Sequence, residues 1–202
     1  MRKTILGAVI LIGLGSLAAG VLPPPDTFTF QFRQEGGRYL FHGNFRVDTD
    51  NRLAWDVLTD YDHVSGFVSN LNAKVVKREG DDVLVDQTVG GGFLFIRQEV
   101  RGLLKVTEKP YVSIALEEVT RKQFDCYQGH WSLTPAVPEA GMNVAYELEA
   151  ERNSSTPEFV TPGLFRQAAE DMVIGMKKEM DRRESVKRMN SLKVENQKRN
   201  PI

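Results

Sequence analysis

The chain has 202 residues, of which 41% are hydrophobic, 26% charged and 9% aromatic, with a formal net charge of −1. Those proportions exclude a disordered, collagenous or polytopic membrane protein, and the length suits one domain with terminal additions. A single cysteine, Cys126, excludes an internal disulfide framework and a multi-thiolate zinc site. The near-neutral balance argues against a nucleic-acid partner, but the charge is unevenly spread. From Lys177 onward there are nine Lys/Arg against four Asp/Glu, whereas residues 26–176 carry fifteen against twenty-three. An acidic body therefore carries a basic end.

The first element is an apolar run, Ile5 to Leu22, preceded by Arg2 and Lys3 and closed by Pro23-Pro24-Pro25. This is the layout of a secretory signal, with small residues (Ser16, Ala18, Gly20) placed for cleavage. The same run also reads as a retained anchor, since eighteen residues of helix span about 27 Å against a hydrocarbon core of about 30 Å. A buried core helix is the third reading. Signal and anchor both take the body out of the cytoplasm, to the periplasm or exterior or to the outer side of the inner membrane. No cysteine lies near enough for lipid attachment.

Tyr39 to Asp48 alternates as a strand, with Phe41, Phe45 and Val47 on one face and Leu40, His42 and Asn44 on the other. Asp50 is placed to cap a short helix through Trp55 and Leu58, and a second short helical stretch runs from Tyr61 to Val68. The period then changes to two. Strands are expected at Lys74–Arg78, Val83–Val89, Phe93–Val106, Tyr111–Val119, Gln123–Thr134 and Asn143–Glu151. Short connectors rich in Gly, Asp and Pro make these an antiparallel meander. A long helix follows, with Thr161 as cap and Pro162 in its first turn. Its stripe is Phe165, Ala169, Met172, Val173, Met176 and Met180. Beyond Val186 the pattern dissolves and reads as a frayed tail. From Pro162 to Glu184 such a helix is about 35 Å long, enough to span a seven-strand sheet about 30 Å wide.

The expected fold is thus α+β, a curved antiparallel sheet of about seven strands around a long C-terminal helix, with two short helices after the first strand. This order resembles the helix-grip fold of the START-like superfamily. The wording of Ala54-Trp55-Asp56-Val57-Leu58-Thr59-Asp60-Tyr61-Asp62 with Phe67-Val68, and of Gly129-His130-Trp131-Ser132-Leu133-Thr134-Pro135, is similar to the branch of polyketide cyclases/dehydrases and coenzyme Q-binding START domains. Ala145-Tyr146-Glu147-Leu148 and Met176-Lys177-Lys178-Glu179 extend the likeness, which covers about Tyr39 to Glu184. The chain departs from it in the N-terminal apolar run and in Ser69, where that branch often has proline. On this basis residues 1–25 form a signal or anchor, 26–38 a linker, 39–186 a ligand-binding domain and 187–202 a basic polar tail.

A curved sheet cannot lie flat on a straight helix, so side chains or a ligand must fill the space between. Alternation nominates Val85, Phe93, Phe95, Ile114, Trp131 and Tyr146 from the strands as lining, with Phe165, Met172 and Met176 from the helix. For each of them the alternative is plain packed core. Catalytic constellations are poor: His42, His63 and His130 are scattered, Cys126 with His130 makes no zinc site, and Asp48-x-Asp50 lacks the rest of a calcium loop. Gly90-Gly91-Gly92 lacks the Gly-Lys-Ser/Thr of a phosphate loop. Arg97, Glu99 and Arg101 alternate on one strand face, as solvated cross-strand partners or a polar cavity end. No cofactor and no metal are expected. The leading expectation is non-catalytic binding or transport of a hydrophobic small molecule, such as a quinone, a lipid or a polyketide-like compound. The competing classes are an aromatase/cyclase-type enzyme using Tyr146, His130 or Arg97, and a membrane-tethered interaction module using the basic tail.

Overall fold

A computed structural model describes residues 28–93, 96–137 and 140–199. The apolar run Ile5–Leu22 and Phe95 lie outside the described residues, and of Phe93 and Arg97 only the backbone is described. The elements in chain order are β1 (Thr29–Glu35), β2 (Arg38–Val47), α1 (Asn51–Leu58), a 3-10 helix (Tyr61–Gly66), β3 (Leu71–Glu79), β4 (Asp82–Phe93), β5 (Ile96–Lys109), β6 (Ser113–Glu118), β7 (Phe124–Pro135), β8 (Met142–Arg152) and α2 (Pro162–Arg199). The strands form one antiparallel sheet in the order β1-β2-β8-β7-β6-β5-β4-β3. The α+β helix-grip arrangement is as expected, with eight strands among the described residues instead of about seven.

The additional strand is β1, inside the segment read as a linker. Phe28, Phe30 and Phe32 alternate there, and their rings pack at a tilt along β2 and α2: Phe28 on Phe45, Phe30 on Phe41, and Phe32 on Tyr39 and Phe165. A half-buried aromatic row supplies the apolar contact that an edge strand needs.

The second correction concerns α2, which continues to Arg199 where a frayed tail was expected. Its polar half is held by ion pairs, many of them to the segment around α1. Arg183 donates to Asp60 at 2.5 Å and to Glu179 at 2.7 Å, and Arg182 binds Glu179 in a two-pronged contact. Glu184 accepts from Thr49 and Arg188, Arg188 also reaches Asp48, and Lys187 binds Asp50 at 2.5 Å. Asp50 is at the same time the α1 cap, accepting from the Leu53 backbone N–H at 2.8 Å. Much of the basic charge counted in the sequence is therefore spent inside the molecule. The direction of α2 also differs from expectation. Phe165 packs on Tyr39, Val173 lies over Gly43, and Glu184 meets Thr49, so α2 runs along β2 rather than across the strands. The curl of the sheet brings the other strands round to it.

This clasp makes stability depend on pH. Glu179 is held below the usual carboxylate range by the Arg182 bond, against burial, with Arg183 adding to it. Burial pushes Asp60 up, but the bonds from Arg183 and His63 more than offset it and the net direction is down. Depressed carboxyls contribute stability that is complete above the unfolded value of about 4 and lost as pH falls through the folded values. Denaturant midpoints should therefore fall as pH drops below about 4, and Arg183→Gln should flatten that dependence.

One helix position sets how closely α2 approaches. A Cβ on Gly175 would stand 2.4 Å from the Phe67 carbonyl oxygen and 2.9 Å from Val68 Cγ2. Alanine would gain about 1 kcal/mol of helix propensity. The clash is with backbone, however, and overpacking typically costs about 1–3 kcal/mol. Gly175→Ala is expected to lower stability in chemical denaturation, against the propensity trend.

Candidate functional site: a two-chambered cavity under the long helix

Two cavities lie between α2 and the inner face of the sheet. The outer one, about 170 Å³, sits beneath the N-terminal half of α2. Its apolar walls come from Val89, Val100, Phe124, Leu148, Phe165 and Met172, and its rim carries the exposed Arg101, Thr120 and Lys122. The inner one, about 50 Å³, lies deeper and is walled by Val85, Leu104, Ile114, Trp131, Met172 and Met176. Leu71, Gln87 and Met172 line both and form the waist between them.

The nominated residues distribute across these chambers. Tyr146, Phe165 and Met172 face the outer one; Val85, Ile114, Trp131, Met172 and Met176 face the inner one. Phe95 falls outside the described residues and the Phe93 side chain is not described. Trp131 and Tyr146, paired across β7 and β8, stack with ring centroids 4.2 Å apart and join the two walls. An apolar void of about 150 Å³ holds a molecule of benzene size, so the outer chamber admits a small ring system without rearrangement. Met172 at the waist and Met176 in the inner wall let the lining adapt to more.

Polar groups interrupt the apolar wall of the outer chamber, among them Asn70, Gln87, Tyr127, Tyr146 and Asp171. Tyr146 is 2% exposed, and burial, then the neighbouring Tyr127, push its hydroxyl well above its ordinary pKa. Tyr127 is raised by burial as well, with the Gln87 side chain acting the other way through hydrogen bonding. Both phenols stay protonated and can donate a hydrogen bond. Asp171, half-buried on the α2 wall, has its carboxyl raised by burial and then by Glu170, against Lys178. A third phenol, the half-buried Tyr61, borders the inner chamber; burial and then Glu108 hold its pKa up, and its hydroxyl donates to Glu108 at 3.0 Å.

Of the residues named for an enzymatic reading, Tyr146 is placed in the cavity, and the Arg97 side chain is not described. His130 borders the opposite, outer face of the sheet together with His42 and Glu147. His42 lies 3.5 Å from Glu147 there, while His63 pairs with Asp60 at 2.6 Å near α1. Arg101 pairs with Asp86 across β4 and β5. Cys126 is half-buried, and burial raises its thiol pKa. Among the described residues, no group of three or more His, Cys, Asp or Glu is placed to hold a metal ion.

Gln87, Tyr127 and Asp171 were not nominated from the sequence. Tyr127 carried a signal, since it stands four residues before Trp131 on the same strand face. Gln87 and Asp171 carried none, because a polar residue on a sheet or helix reads as solvated until the fold turns it inward.

Comparison with known proteins matches residues 47–177 to a family model described as polyketide cyclase / dehydrase and lipid transport. The chain is similar in structure to the Zhui aromatase/cyclase from a Streptomyces species at 11% identity and a TM-score of 0.59, covering 72% of this chain and 95% of that one. It is similar to a STAR-related lipid transfer protein fragment from Xanthomonas axonopodis at 14% identity and a TM-score of 0.57, covering 75% and 98%. It is also similar to the human StarD13 lipid transfer and protein localization domain at 11% identity and a TM-score of 0.56, covering 77% and 85%. At these identities the likeness shows the fold alone. A search of curated proteins finds no match to the chain.

Proposed function

The chain belongs to the polyketide cyclase / dehydrase and lipid transport family, and from that premise we propose that it binds a hydrophobic small molecule under α2 without transforming it. The observation that carries this reading is the cavity itself. Much of its wall is apolar, and among the polar groups that face it are two protonated phenols, Tyr127 and Tyr146, and the Gln87 amide, able to orient a carbonyl or hydroxyl. Binding energy would come from apolar burial at about 25 cal/mol per Å², with the polar groups setting orientation. A quinone, a lipid headgroup region or a polyketide-like ring each offers that combination. Among the described residues no hydrogen bond holds the Tyr146 hydroxyl, which leaves it available to such an acceptor. We place the protein outside the cytoplasm on the strength of the Ile5–Leu22 run.

Native mass spectrometry of gently purified protein, followed by ligand extraction, is the direct test. A co-purified apolar compound supports the reading. Tyr146→Phe should leave the melting temperature near wild type while weakening that ligand by about ten-fold, the loss of one buried hydrogen bond. Failure of the protein to retain or be stabilised by any apolar compound would sink it.

A second reading, an aromatase/cyclase-type catalyst, has one specific observation in its favour. The raised carboxyl of Asp171 shares the outer chamber with Tyr146, which provides a protonatable group and a neutral donor in one apolar space. Turnover of a polyketide-like substrate that Asp171→Asn abolishes without loss of binding would favour it over simple carriage.

A further inference from the structure

We propose that the end of the domain opposite the outer chamber is a membrane-docking face that holds the cavity mouth away from a lipid bilayer. This rests on the reading of Ile5–Leu22 as membrane-embedded, and its test separates the two. Four features meet at that end. Phe28, the first described residue, packs on Phe45 near the end of β2, since Thr29 pairs with Asn44. The β2–α1 connection, Asp48 to Asp50, is bound there by Arg188 and Lys187 of α2. The β5–β6 turn is tied in through Asn51, whose amide donates to the Tyr111 carbonyl at 2.9 Å. The β7–β8 turn is tied in through Arg46, which donates to the Ala140 carbonyl at 2.9 Å.

The exposed apolar surface concentrates at this end. Nine large apolar side chains are exposed among the described residues, and only Val76 and Val119 lie elsewhere. Tyr111, Val112 and Val137 are on the two turns; Val186, Met189, Leu192 and Val194 are on α2. Val112 is 58% exposed, Val137 73% and Leu192 60%. Single exposed apolar residues need no explanation, but a group converging on one end marks an interaction site.

Chain length chooses the occupant. From Leu22, the last residue of the apolar run, to Phe28 there are six residue steps, which extend at most about 20 Å. If the run is embedded, this end of the domain lies within that distance of the bilayer. The part of α2 past Arg188, the last residue bound to the β2–α1 connection, has eleven residues and reaches about 16 Å farther. The helix extension and the tether thus have matching reach from the same end. Over residues 189–199 the extension carries Lys193, Lys198 and Arg199 against Glu195, a sign suited to anionic lipid. The outer chamber, beneath the N-terminal half of α2, points the other way, toward a donor or acceptor in the surrounding space.

The experiment uses the full chain, with Cys126 replaced by serine and one environment-sensitive fluorophore on Val112→Cys, Leu192→Cys or Thr120→Cys. Each protein is reconstituted in phosphatidylglycerol/phosphatidylethanolamine vesicles with and without doxyl-labelled lipid. The expected result is emission at positions 112 and 192 quenched by about half or more, and none at the rim position 120. Unquenched probes at 112 and 192 on protein that floats with the vesicles would overturn docking and leave the anchor standing. Protein that does not float would overturn both. Quenching lost in favour of a cross-link between two copies at position 192 would give the face to a second copy and overturn the membrane assignment. Leu192→Asp with Val194→Asp should melt like wild type, since both side chains are exposed, and should reduce the quenching at position 112.

Discussion

Met176→Lys is expected to destabilise the protein by about 3–5 kcal/mol and to abolish ligand binding, as an uncompensated charge in an apolar interior does. Met176 is 5% exposed and borders the inner chamber beside Ile114 and Trp131. The acidic residue that borders the same chamber, Asp60, is already bound by Arg183 at 2.5 Å and His63 at 2.6 Å. A new ammonium there must desolvate without a free partner, break that clasp, or push α2 off the sheet. Met176→Leu nearly conserves volume, and its cost should stay below about 1.5 kcal/mol. Its effect should appear in ligand preference, because a branched side chain adapts less than a thioether. Urea titrations of both variants check the stabilities. A Met176→Lys protein that melts like wild type would mean that this face of α2 does not close the cavity.

The α2 stripe was legible because six apolar residues recur at helical spacing, and five of them are buried, with Met172 half-buried at the waist. The faces of β2, β7 and β8 were legible by alternation for the same reason: one side must leave water and the other need not. Two parts of the fold were hidden by composition. β1 lies between a proline cluster and Gly36-Gly37, so its aromatic period was taken for a connector, though Phe28, Phe30 and Phe32 were alternating in plain view. The last turns of α2 were hidden because their stability is not apolar. It comes from i,i+4 pairs such as Arg188–Glu184 and Arg199–Glu195, and from the acidic segment around α1 that the sequence separates from them by more than a hundred residues. On the polar side of the cavity alternation nominated Tyr146, and the rest was hidden for a related reason. Gln87, Tyr127, Tyr146 and Asp171 come from three strands and a helix, and only the closing of the sheet turns them toward one space.

Trp131 is where stability and binding are hardest to separate, and where their separation is most informative. The ring is 4% exposed, stacks on Tyr146 at 4.2 Å and walls the inner chamber. Trp131→Ala removes that partition, so the space it vacates adds to an existing void instead of collapsing. Truncation of a buried Trp costs about 3–5 kcal/mol, and the upper part of that range is expected because residual cavity adds to the loss. Tyr146 loses its stacked neighbour but keeps Phe41 at 6.2 Å, so the strand pairing beneath should hold. If the enlarged space is a ligand site, a small apolar ring compound such as indole should fill it and restore much of the lost stability in proportion to its concentration. Thermal melts of wild type and Trp131→Ala across an indole series measure this. Upward shifts confined to the variant mark a filled truncation cavity. Shifts in both proteins mark a site that the wild type already offers. A variant that loses the full amount and gains nothing from indole would reduce Trp131 to packed core and remove the inner chamber from the binding site.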